Sequence, residues 1–402
     1  VGATVKIDDK IGLVTYRVTG WNSTYDFYTV SITGLDADGL DALAKAKKDA
    51  KEKVTLNIPV SFYEKFGEDR YYYAVTEIAK GLDGTTKQSF YGYTEIDALT
   101  FIQKPEGELG VSPSKFKYTV GEKAFYGCTN MKTLKFTENC SAIGSYAFQN
   151  TAIKDFQIPK GCSDIKEYAF YNCKKLDKVD VEADNVVLTE LKTHVFGNSS
   201  LQTLDLSNAS GLKKLGAEPF MYNLSTVNDV LKTVKLPAAV ENISTAFKNC
   251  TALTNVYALG DTNLGAGTQI TFEAFNGCRS LTRLDIPNCD VIGTPFVGCE
   301  SLDTITFKAG YNKIIAKNLG AGKNVFGTTL LSDPDYNAKA QGALKNIVFK
   351  GAMRGTINAG AFVGVKGLEK VEFQGVLEQG ATIDAAFTDV TSLKTLTFKG
   401  VK

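Results

Sequence analysis

Histidine is almost missing from this chain: among 402 residues there is one, His194. A Ser-His-Asp or Cys-His catalytic arrangement would have to be built on that single side chain. No His/Cys cluster has the spacing of a zinc site. His194 stands two residues before Phe196, where Tyr146 and Tyr168 stand before Phe148 and Phe170, so it reads as the filler of a repeated position. An excess of one charge is lacking too: 45 Lys plus Arg face 44 Asp plus Glu, a formal net charge of +1. With no basic stripe, the electrostatic footprint of a nucleic-acid binder is absent. No apolar stretch approaches the roughly 20 residues that a membrane span needs. The run Asp36-Ala37-Asp38-Gly39-Leu40-Asp41 fails as a calcium loop, with glycine fourth and leucine fifth. An EF-hand needs a ligand fifth and glycine sixth. Gly265-Ala266-Gly267 lacks the continuation of a phosphate loop. No cofactor and no metal are expected, and no Asp or Glu pair stands out as a catalytic dyad.

What fills the chain is one short unit written many times. Ala124-Phe125 leads to Cys128, then Met131, Leu134 and Phe136; Ala274-Phe275 leads to Cys278, Leu281, Leu284 and Ile286. Anchoring phenylalanines recur at Phe90, Phe125, Phe148, Phe170, Phe196, Phe220, Phe247, Phe275, Phe296, Phe326, Phe362 and Phe387. Units this small bury an apolar face only by stacking on neighbours, the mark of a solenoid. The alternating end of each unit predicts a short strand with one face inward. Gly or Asn before the cysteine (Gly127, Asn172, Asn249, Gly277, Gly298) suits a turn with positive φ. The cysteine reads as a small apolar filler, since Thr151, Ser199 and Val365 replace it elsewhere.

The pattern Ile-x-x-x-Ala-Phe-x-x-Cys-x-x-Leu-x-x-Leu-x-Leu-Pro resembles the BspA-like leucine-rich repeat family. Ile165 to Phe170 and Leu284-Asp285-Ile286-Pro287 are close matches, and the likeness covers about three quarters of the chain. It implies a repeat solenoid: a leucine-rich-repeat-like right-handed coil with one short parallel strand per repeat. It also implies a secreted or surface protein of an anaerobic bacterium, with any export signal already removed. Some relatives are adhesins for host matrix proteins or other cells, through no fixed residue set.

Taken in order, residues 1–80 predict a β-rich N-terminal cap. Its strands are Leu13–Val18, Phe27–Ile32, Val54–Pro59 and Tyr71–Thr76, and Gly20 to Ser23 read as a hairpin loop. One helix is expected near residues 38–52, with Leu40, Leu43, Ala44, Lys47 and Ala50 on a shared face and Asp36 or Asp38 at its start. Residues 81–402 predict about twelve coils, beginning with a degenerate one at Phe90. Lys104 to Ser114 must be a loop. Tyr222–Val230 and Thr328–Gly342 read as insertions, which project from one side of a solenoid.

Eight cysteines do not fix the redox compartment. Cys140 and Cys162 follow adjacent strands at the same offset, which places their Cα atoms about 5 Å apart, inside the disulfide range. Parallel in-register side chains orient poorly for a bridge, so bonded and free states both stay open. The outward strand positions mix both charge signs with threonines. Lys235, Asn255, Tyr257, Arg283, Asp285, Thr304 and Thr306 are the candidate partner-binding face. The expected role is non-enzymatic protein recognition. A glycan-binding module, supported by Tyr257 and the Tyr71-Tyr72-Tyr73 run, is the alternative, with a passive spacer as the third.

Overall fold

The computed structural model describes residues 3–8, 12–24, 27–50, 54–66, 68–81, 89–103, 116–216, 220, 228–237, 239–243, 245–257, 269–270, 273–308, 310–311, 313–328, 338–383 and 385–400. The predicted loop at 104–114, most of the first insertion and residues 329–337 of the second lie outside them. The chain divides into two compact units: residues 1–188 with 192–201, and residues 189–191 with 202–402.

The first unit opens with β1 (Ala3–Asp8), β2 (Gly12–Asn22), β3 (Phe27–Leu35), α1 (Ala37–Ala50), β4 (Thr55–Pro59), β5 (Ser61–Phe66) and β6 (Asp69–Ile78). β1, β2 and β3 pair antiparallel, β3 runs parallel to β6, and β5 closes the other side of β6. This cap is continuous with the coils. β6 pairs in parallel with Tyr118–Val120, and β4 with Ala98–Ile102. β4 does so because its sequence copies a repeat strand: Leu56 and Ile58 are buried between half-exposed neighbours.

The chain is a repeat solenoid, and each regular coil adds a second short parallel strand to the predicted one. In the first unit, Cys140–Ile143 pairs with Tyr118–Val120 and with Asp164–Ile165, while Asp155–Ile158 pairs with Lys178–Val181. The extra strand carries the isoleucine of Ile-x-x-x-Ala-Phe; Ile143 and Ile165 are fully buried. In the second unit the extra strands run from Glu190–Leu191 to Thr382–Ile383. The predicted strands there include a five-stranded parallel sheet from Arg283–Ile286 to Thr395–Phe398.

The anchoring phenylalanines stack between coils. Phe125 and Phe148 lie 5.3 Å apart at 3°, and Phe148 and Phe170 5.2 Å apart at 14°. In the second unit Phe247 and Phe275 repeat this at 5.5 Å. Each anchor is tied on by its peptide group too. Phe125 N–H donates to Ala147 O and Phe148 N–H to Ala169 O, both at 2.8 Å, which explains the small residue before the ring. The turn residues take the expected left-handed conformation: Gly127 φ 74°, Asn172 φ 60°, Asn249 φ 60° and Gly277 φ 74°. Where coils approach most closely only glycine fits; a Cβ on Gly144 would lie 2.6 Å from Glu122 N.

Several elements differ from the sequence reading. β2 runs on to Asn22, because Gly20 sits at a bulge rather than a turn, so Trp21 pairs with Tyr28 inside the sheet. β1 and β5 were not foreseen. α1 is capped as expected, with Gly39 N–H donating to the Asp36 carboxylate at 2.7 Å. Its predicted apolar face is narrower, since Leu43 is buried while Leu40 and Ala44 are exposed. Lys47 does not face solvent freely: it pairs with Asp97, whose carboxylate also accepts from Val54 N–H at 2.9 Å. The second insertion contains an unpredicted helix, Ala338–Ala343, whose buried Gln341 donates to Thr328 O.

Replacing one mid-stack ring tests the stack. Phe148→Ala should cost the first unit about 3–5 kcal/mol in denaturant unfolding. Phe387→Ala, in the half-exposed last coil, should cost less than about 2 kcal/mol. Equal losses would contradict a neighbour-stacked core.

Candidate functional site

A groove on the strand face lies in the first unit. Strands Thr133–Lys135, Asp155–Ile158 and Lys178–Val181 lie side by side, and the groove, of about 620 Å³, runs over them. Phe136 and Phe156 lie at its floor; Lys132, Lys135 and Lys178 face Asp155, Asp180 and Glu182 around it. Period-2 alternation explains this, since Phe156 and Ile158 turn inward while Asp155 and Gln157 turn out. The register sets Asp155 beside Lys178 and Gln157 beside Asp180. Lys178 bonds Asp180 at 2.8 Å, yet the Oδ1 of Asp180 is buried with no hydrogen-bond partner. Lys135 and Asp155 are exposed and carry no ion pair among the described residues.

The face read from the sequence is in the second unit, divided between two sheets. Lys235 is exposed and bonds Asp205 at 2.7 Å. Burial pushes the Asp205 carboxyl up, but bonds from Lys235 and Ser207 outweigh it and hold it below its usual range. Asn255 is exposed beside Thr233, and Tyr257 pairs with Lys235 through its backbone; the Tyr257 side chain lies outside the described ones. Arg283 and Asp285 lie beside Thr304 and Thr306 in the next sheet. Arg283 is exposed and Asp285 half-buried, but Thr304 and Thr306 are 9% and 1% exposed, so they offer little to a partner. Further along that sheet Glu372 sits between Lys370 and Lys399. Hydrogen bonds from Lys399 and then Lys370 bring its carboxyl down to about 2.

The tyrosine run is no open platform. Tyr73 is buried and stacks on Phe62 at 5.0 Å; Tyr72 is half-buried, and the Tyr71 side chain lies outside the described ones. Half-buried tyrosines on the coils stack face to face, Tyr91 on Tyr126 at 4° and Tyr146 on Tyr168 at 7°. His194 is buried at the end of the second stack, 5.1 Å from Tyr168. Its Nδ1 has no partner, and no nucleophile is placed against it among the described residues. Among these residues no group of three His, Cys, Asp or Glu side chains is arranged to hold a metal. No helix among them is long and apolar enough to cross a membrane.

All eight thiols are buried and unbridged, Cys140 and Cys162 included. Those two are side-chain hydrogen-bonded neighbours, and burial first, then each other, push the Cys140 thiol well up. Repeat cysteines are more than fillers. The thiols of Cys128, Cys173, Cys278 and Cys299 lie 3.1–3.2 Å from the carbonyls of Phe90, Phe148, Phe247 and Phe275. Each weak S–H donor thus meets the anchor of a preceding coil. The sequence reading also missed three buried asparagines that secure irregular coils. Asn185 donates to Pro159 O and accepts from Leu188 N–H; Asn228 and Asn324 do the same for Phe220 O with Leu231 N–H, and Val363 O with Phe326 N–H. The available signal was an Asn shortly before an apolar pair: Val186-Val187, Val230-Leu231 and Val325-Phe326. For the groove it was Phe136 and Phe156 on adjacent strands.

A family model for the BspA-type leucine-rich repeat region matches residues 94–227 and 227–325, with six copies. No curated protein matches the chain. Among solved structures, the pneumococcal vaccine antigen PcpA is 16% identical, covering 94% of this chain and 89% of that one, with a TM-score of 0.42. A leucine-rich cell surface protein from Faecalibacterium prausnitzii A2-165 is 15% identical over 98% and 94%, with a TM-score of 0.38. A leucine-rich repeat protein from Bacteroides ovatus ATCC 8483 is 17% identical over 96% and 98%, with a TM-score of 0.36.

Two measurements follow from these sites. Thiol titration in denaturant should count all eight cysteines, and the native protein should react only as fast as it opens; a count of six would mean that Cys140 and Cys162 are bonded. Glu372 has a folded pKa of about 2 against an ordinary 4.5. Its stabilisation is therefore complete above the ordinary value and is lost as pH falls from there through about 2. Glu372→Gln should flatten that limb of the acid-unfolding curve, and an unchanged curve would show that the two lysine bonds do not persist in solution.

Proposed function

This chain belongs to the BspA-type leucine-rich repeat family, and on that footing we propose that it is a non-enzymatic recognition scaffold that holds a protein partner against its strand face. The place of action is the surface or surroundings of a bacterial cell, and the finer role is adhesion to proteins of a host or a neighbouring cell. The observation that carries this is the groove between Lys135, Asp155 and Asp180. It combines an apolar floor, unpaired charges of both signs and a buried carboxylate oxygen without a partner. Such a surface gains most from a protein that brings its own charges in a complementary pattern, because pairing there is desolvated and directional. A neutral sugar chain would leave those charges unmet. Exposed Lys235, Asn255 and Arg283, with half-buried Asp285, are proposed as a second contact patch of the same mixed character.

Binding of the purified chain to an array of extracellular matrix and cell-surface proteins at physiological salt is the test. A saturable protein hit is expected. Lys135→Glu or Lys178→Glu should weaken it roughly tenfold or more, with added salt weakening the parent protein in the same direction. Hits untouched by both variants would move the site off this groove, and silence across the array would favour a passive spacer.

A further inference from the structure

The N-terminal cap holds a ring system that protein recognition along the coils does not use. Four strands of its sheet lie side by side in the order β2, β3, β6, β5. Their registers set Trp21 opposite Tyr28, Tyr28 opposite Tyr73, and Tyr73 opposite Phe62. The rings follow in a row, with centroids 4.6, 5.5 and 5.0 Å apart. Exposure rises along it, from 5% at Phe62 and 8% at Tyr73, through half-buried Tyr28, to 51% at Trp21. The buried end anchors the row, and the outer end carries the chain's only tryptophan, packed against Tyr28.

The geometry at that outer end differs from every tyrosine stack on the coils. Those rings are half-buried and within a few degrees of parallel, each covering one face of the other. Trp21 is tilted 59° from Tyr28 and is 51% exposed, so much of its indole is open to solvent. Val18, 44% exposed, extends the surface: it lies opposite Val30, which shares a face of β3 with Tyr28. None of Val18, Trp21, Tyr28 or Val30 bears a charge. Two exposed apolar side chains are far less than the roughly 800 Å² per partner that a stable protein interface buries. The surface instead has the size of a single ring. A pyranose suits it, because one face of that ring is a set of C–H groups and its hydroxyl rim stays in water at an edge-open site.

We propose that Trp21, with Tyr28 beside it and Val18 extending the surface, is a stacking site for a neutral pyranose unit of a glycan. The site is separate from the groove over Lys135 and Asp155, so it supplies a second class of ligand. Sugar stacked on the indole displaces water from its face, and the emission of the only tryptophan reports it directly.

The experiment is a fluorescence titration of the full chain with cellohexaose, mannohexaose and xylohexaose, up to the millimolar range. At least one should give a saturable shift in emission. Calorimetry with that sugar should show that Trp21→Ala weakens binding roughly tenfold or more, while Trp21→Tyr retains most of it. Lys135→Glu should leave sugar binding unchanged, which keeps this result independent of the groove. No saturable shift with any of the three sugars, or equal binding by Trp21→Ala, would overturn the proposal. So would a response confined to charged oligosaccharides.

Discussion

Each coil is held by the next through one repeated pair of contacts: a phenylalanine ring against a ring, and its peptide N–H on the carbonyl of the residue just before the next anchor. Phe125, Phe148 and Phe170 in the first unit, and Phe247 and Phe275 in the second, repeat this with little variation. The ring removes apolar surface from water, while the hydrogen bond fixes the height at which the following coil sits. Neither contact exists within an isolated coil, so stability is a property of neighbours. The short strands are rails that this stacking brings into register. Thiols serve the same joint, since Cys128, Cys173, Cys278 and Cys299 each meet the carbonyl of a preceding anchor.

That dependence explains which parts of the fold were legible in the sequence. The anchors, the left-handed glycines and asparagines and the inward strand residues recur at fixed offsets, so many copies announce one geometry. Asp36 was legible as a cap because its carboxylate acts on residues three places away. The extra strand was not, because the isoleucine that carries it is a single residue per coil, and its partner backbone lies a full turn away. Gly20 misled for a related reason. Glycine permits both a turn and a bulge, and only the pairing of Trp21 with Tyr28 decides for the bulge. Gln341 and Asn324 fix each other across the second insertion, a contact that no local pattern encodes.

The candidate site was legible in kind and not in place. Outward strand positions were expected to mix lysines, acids and threonines, and they do. Which of them remain available depends on lateral contacts that period-2 alternation ignores. Thr304 and Thr306 point outward by pattern and are nevertheless covered, while Lys135 and Asp155 stand clear above a floor of two phenylalanines. The tyrosines show the same limit. The Tyr71-Tyr72-Tyr73 run suggested a platform, but Tyr73 is buried against Phe62, and the exposed ring is the tryptophan that the sequence placed in a loop.

The eight unbridged thiols give the protein a chemistry of indifference. No bridge is part of the packing they take in this structure, so that packing does not depend on an oxidant. Burial also raises thiols such as Cys173, to about 11, and Cys250, to about 12, so these carry almost no thiolate at neutral pH. Oxidative damage must therefore wait for a coil to open. A sulfur oxidised in that interval becomes polar and larger, and no longer fits against the carbonyl it had met. Harsh surroundings would then leave a lasting record of which coils open most often.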